Sequence, residues 1–98
     1  HRTLDELKRS IALAVLRRFT PRVLRAQILV YLYRWKSQGT WVPAYDEWRD
    51  LASREDDAAL YAAMLGRDEH AVTLRQSMPF VGLLSQDEVR RLHEEAAA

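Results

Sequence analysis

TPRVLRAQILVYLYRWKSQG, residues 20–39, is a helix with both ends written into it. Thr20 can cap the start, and Pro21 at the first helical position loses only an N–H that would be unpaired there anyway. Phe19 and Leu24 bracket the cap at the spacing of a hydrophobic staple. Gly39 supplies the left-handed residue on which many helices end. Between these marks the apolar residues form two strips. Leu24, Ile28, Tyr31 and Trp35, with Leu32 beside them, follow one face. Val23, Ala26, Val30 and Tyr33 follow another. A helix with one wet face needs only the first strip. The helix at about 21–38 is therefore either the centre of a small bundle or part of an interface.

The rest of the chain agrees with a helical protein. Three Gly and three Pro in 98 residues leave few places to turn, which disfavours many short strands. With 48% hydrophobic and 30% charged residues the composition is that of a folded chain rather than a disordered one. The length suits one core, so the reading is a single helical domain over 1–98; a first residue of His fits either an added leading residue or a domain excised from a longer chain. Cys is absent, which excludes disulfides, thiolate metal sites and a Cys nucleophile and fits a reducing, cytoplasmic setting. Arg and Lys interrupt every apolar run well short of the ~18 residues a membrane span needs, so no membrane is expected.

Taken in order, Thr3-Leu4-Asp5-Glu6 has the spacing of a capping box. Leu4, Leu7, Ile11, Ala14, Val15 and Phe19 then recur at helical spacing and predict a first helix over about 4–18. After the 21–38 helix, Pro43 opens a third over 43–52 with Tyr45, Trp48 and Leu51 on one face. A fourth over 56–65 offers only Leu60, Met64 and alanines, and Gly66 ends it. Asp68 can cap a short fifth through about Ser77. Residues 78–84, MPFVGLL, read as an apolar loop that lids the core, because Pro79 and Gly82 prevent a continuous helix. Ser85-Gln86-Asp87-Glu88 is a further capping box, opening a last helix anchored by Val89 and Leu92. At least two of Trp35, Trp41 and Trp48 are expected in the core.

The net charge of +1 conceals a division. Residues 1–36 hold nine basic and two acidic side chains, +7, and residues 37–98 hold six basic and twelve acidic ones, −6. Either the halves attract each other within the fold, or the basic half meets a charged partner. Arg17, Arg18, Arg22 and Arg25 straddle the junction of the first two helices and form the candidate basic patch, able to hold phosphate or protein carboxylates.

Chemistry of other kinds finds little support. The glycines are isolated, so no phosphate-cradling loop exists. His70 beside Asp68 and Glu69 could join Glu88 and His93 at a divalent metal, but nothing in the spacing demands it, and no metal, cofactor or small-molecule substrate is expected. A Ser77–His pair is no more than chance composition offers. Over Gln27 to Ala52 the order helix, Gly- and Pro-containing turn, then acidic-to-apolar helix resembles the first two helices of winged-helix regulators. The recognition position would fall at 55–65, REDDAALYAAM, which is acidic where DNA would approach, and no wing hairpin follows. No family is assigned on that basis.

The sequence thus predicts an all-α bundle of five or six short helices around the 21–38 helix. Its expected role is non-enzymatic: a small protein-binding or regulatory module. The expected partner is a second copy of itself, a homodimer formed through Val23, Ala26, Val30 and Tyr33. The alternative is a nucleic-acid-binding regulator of the helix-turn-helix kind, using the basic N-terminal half.

Overall fold

A computed structural model of the chain describes residues 2–97, with side chains from Leu4 onward. Six α-helices follow one another: α1 Arg2–Arg18, α2 Pro21–Ser37, α3 Pro43–Ser53, α4 Asp57–Leu65, α5 Glu69–Arg75 and α6 Gln86–Ala97. A one-turn 3-10 helix at Val81–Leu83 interrupts the last connection. No strand occurs among the described residues. The described residues form an all-α bundle, 79% helical, with principal extents of 37 × 27 × 25 Å.

Most of the boundaries rest on local chemistry. The Thr20 hydroxyl accepts the Val23 N–H at 3.3 Å, and Pro21 occupies the first turn. The Asp68 carboxylate caps α5 through Ala71 N–H, and the Ser85 hydroxyl caps α6 through Glu88 N–H at 3.1 Å. At α4 the cap is Asp56, which accepts Ala59 N–H. Ser53, three residues earlier, instead donates to the Arg49 carbonyl and closes α3. The expected Thr3 capping box falls on a side chain outside those described; α1 already runs from Arg2.

Two glycines matter to this layout. Gly39 sits at φ +80°, the left-handed conformation just past the end of α2. Gly66 has ordinary backbone angles and ends α4 for a different reason. A Cβ there would lie 2.4 Å from the Ala62 carbonyl oxygen and 2.8 Å from Asp68 Oδ1, the oxygens around the α4–α5 corner. Gly66→Ala should therefore cost about 1–3 kcal/mol, as overpacking does. Gly39→Ala, with open space around the new methyl, should cost about 1 kcal/mol from conformation alone. Thermal melting of the two variants checks the order; an unchanged Gly66→Ala midpoint would contradict the crowding.

The core joins all six helices. Leu7, Ile11, Ala12 and Val15 of α1 meet Leu24, Ile28 and Leu32 of α2, Trp48 and Leu51 of α3, and Leu60 and Met64 of α4. Leu74, Phe80 and Leu84 complete it, with Val89 and Leu92 of α6 packed against its edge. The most extensive helix pairing is α2 with α3, while α1 touches α4, α5, α6 and the 3-10 turn. Residues 78–84 cover the core as expected, with Pro79 and Phe80 fully buried.

One charged side chain is buried among these residues. Arg75, at the end of α5, is wholly enclosed and grips both carboxylate oxygens of Asp5, 3.0 and 3.1 Å from Nη2. Its Nη1 also donates to the Ala63 carbonyl. This pair ties the first turn of α1 to α4 and α5 across 70 residues of sequence. Nearby, Arg9 Nε donates to the Leu65 carbonyl, so the open carbonyls at the end of α4 are met by arginines.

Candidate functional site

The two strips of α2 have opposite fates. Leu24, Ile28 and Leu32 are 0–1% exposed, and Tyr31 and Trp35 are half-buried at the core's edge. Val23, Val30 and Tyr33 are 44%, 47% and 77% exposed, and Ala26 is exposed with them. Neither of the segments able to cover this strip does so. α4 packs on α1, α3 and α5, and the 78–84 segment lies on the first strip, where Gly82 abuts the Tyr31 ring. The 3-4-3 spacing of 23, 26, 30 and 33 is that of the seam positions of a two-helix packing. At 1.5 Å per residue the seam is about 15 Å long.

Leu29, 36% exposed, widens the strip on one side and escapes a reading by seam spacing alone. Its signal in the sequence is its place three residues after Ala26 and four before Tyr33. The charged flanks are likewise visible only once the strip is known to be outside. Arg22 and Lys36 lie on the Leu29 side and Arg34 on the other, all three exposed. No acidic residue occurs anywhere on α2.

The four arginines of the candidate basic patch divide evenly. Arg18 is paired with Glu88 of α6, Nη1 to Oε1 at 2.6 Å. Arg25 is paired with Asp57 in the first turn of α4 and is nearly buried. Arg17 and Arg22 are exposed and have no ion pair among the described residues. The acidic half of the chain thus occupies half of the patch internally, as opposite charges within one small fold tend to do. The pairing also bears on the helix-turn-helix resemblance. The acidic start of α4, in the recognition position, is turned to the protein's own Arg25.

The tryptophans differ from expectation. Trp48 is fully buried, whereas Trp35 and Trp41 are only partly so. The latter two form an aromatic cluster with Tyr45 at the C-terminal end of α2, ring centroids 5.1 and 5.4 Å apart. Lys36 and Arg49 both lie over the Trp41 ring, and its indole N–H donates to Asp46. The reason is position: Trp35 is the last residue of its strip and Trp41 sits in the connector, so both pack against the edge of the core rather than inside it.

The remaining candidates stand apart. His70 pairs with Glu47 of α3, and Glu88 is taken by Arg18, so the residues weighed for a metal are dispersed. Among the described residues no three metal-capable side chains cluster. A shallow apolar groove of about 450 Å³ runs between the 3-10 turn and α6, lined by Val81, Leu84 and Val89 with His93 at its edge. No described helix is long and apolar enough to cross a membrane.

Comparison with family models, with curated proteins and with solved structures returned no match to this chain. The geometry of α2 carries the functional argument alone.

Proposed function

We propose that this chain is a non-enzymatic protein-interaction module, and that its docking face is the outer strip of α2. One observation supports the reading: a single helix buries the leucines and isoleucine of one apolar strip, Leu24, Ile28 and Leu32, and leaves a second strip, at seam spacing, open to water. Large apolar side chains gain about 1.5–3 kcal/mol each on burial, so such a strip favours any partner that covers it. Tyr33, the most exposed large apolar residue of the chain, and the arginines beside it belong to the residue types that dominate interface energies. Two kinds of occupant fit a helix face of this sort. One is a second copy, paired about a two-fold axis. The other is a helix of a different protein.

Val30→Asp tests the face itself. Val30 is half-exposed and belongs to none of the core contacts, so the variant should melt within about 2 °C of the parent, as surface changes do. Association through α2 should be abolished, because a charge at the centre of an apolar seam must be desolvated without a partner. Sedimentation and thermal melting read the two effects separately. An unfolded variant would show that the strip is core, and unchanged association would place the docking face elsewhere.

A further inference from the structure

The charges around the outer strip identify its occupant more closely, on the reading that α2 is the docking face. Every charge that α2 brings to the seam is positive: Arg22 and Lys36 on one flank and Arg34 on the other, with only Gln27 and Leu29 between them. Two copies of α2, packed parallel or antiparallel, would line both sides of the seam with like charge. Flanking positions of opposite sign select partners and orientation in paired helices, and like charges reject them. Of the neighbouring arginines, Arg18 and Arg25 are already held by Glu88 and Asp57, and Arg17 on α1 is one more positive charge. Glu6, the nearest acid in the basic half, is engaged by Arg67 and Arg9.

We infer that the outer face of α2 receives an amphipathic helix of another polypeptide, apolar along its seam and acidic on both flanks. Its apolar residues cover Val23, Ala26, Val30 and Tyr33, and its carboxylates meet Arg22, Arg34 and Lys36. The seam of about three turns is short, so the complex belongs with small, transient interfaces and is sensitive to salt.

The experiment uses the whole chain and two synthetic helical peptides with identical Leu seams. One carries Glu and the other Lys at all flanking positions. Binding is followed by calorimetry and by backbone amide shifts at two salt concentrations. The Glu-flanked peptide should bind, shift the amides of residues 22–36, and weaken as salt rises; the Lys-flanked peptide should bind at least about tenfold more weakly. The double variant Arg22→Glu, Arg34→Glu should reverse this preference while melting like the parent. Equal binding of both peptides at α2 would overturn the acidic partner and leave the docking face standing. Self-association of the free chain that Val30→Asp removes would do the same, with a second copy as occupant. Shifts at the α6 groove or elsewhere, or no binding of either peptide, would overturn this inference; the first would also remove α2 as the docking face.

Discussion

Asp5→Ala is expected to destabilise the fold by about 3–5 kcal/mol, whereas Arg75→Met, at the other end of the same ion pair, should cost only about 1–2 kcal/mol. The asymmetry follows from where the two charges sit. Arg75 is wholly buried, and Asp5 keeps 18% of its side chain in contact with water. Removing the carboxylate strands a guanidinium whose other acceptor among the described residues is the Ala63 carbonyl. Removing the guanidinium leaves a carboxylate that water can still solvate, and Met refills most of the volume. A domain of this size has only about 5–15 kcal/mol in total, so Asp5→Ala brings the protein near its unfolding threshold. Urea titration of both variants, with the slope held equal, gives the comparison. Equal losses, or a larger loss for Arg75→Met, would mean that packing rather than charge burial governs this corner.

Trp48→Ala should be comparably severe, at about 3–5 kcal/mol, and Trp48→Phe should recover more than half of that. Trp48 lies at the centre of the core, fully buried, with its ring edge-on to Phe80 at 5.6 Å between centroids. Its indole N–H donates to the Leu74 carbonyl at 3.0 Å, fastening α3 to α5. Truncation opens a cavity under Phe80, which the surrounding helices can only partly close. Phe keeps the aromatic contact and loses the hydrogen bond, a loss softened because Leu74 O also accepts the Ser77 N–H. Trp35→Ala and Trp41→Ala provide the contrast: both rings are part-exposed and should cost distinctly less. Near-ultraviolet circular dichroism and denaturant midpoints read both effects. A Trp41→Ala variant as unstable as Trp48→Ala would relocate the centre of the core.

Neither of these two anchors is legible in the sequence in the way the helices are. Arg75 reads there as one more basic residue near the end of a short helix, a position that suits the helix dipole whether or not anything lies beyond it. What makes it structural is Asp5, seventy positions away, and no local pattern connects them. Trp48 could be placed on the apolar face of α3, but so could Tyr45, which stays half-exposed. The choice between them was made by α5 and by the 78–84 segment closing over one side of α3.

What the sequence by itself determined are the features that depend on neighbours within a turn. Thr20, Asp68 and Ser85 cap the helices that follow them through backbone N–H groups three residues on, Pro21 and Pro43 open helices through their own fixed φ, and Gly39 leaves α2 through its own left-handed φ. The two strips of α2 belong to the same class, since helical periodicity alone places 23, 26, 30 and 33 on one side and 24, 28 and 32 on another. Which strip is buried was decided by the tertiary structure. A small core can cover only one flank of a helix on its edge, and α3 and residues 78–84 took the flank bearing Leu24, Ile28 and Leu32. The same long-range packing brought Glu88 to Arg18 and Asp57 to Arg25, removing two arginines from a patch that the sequence presents as four. Apolar area and charge are sums over residues and can be read along a chain. Which of them remain unsatisfied depends on what the fold places opposite, and on α2 that is an open apolar seam edged with positive charge.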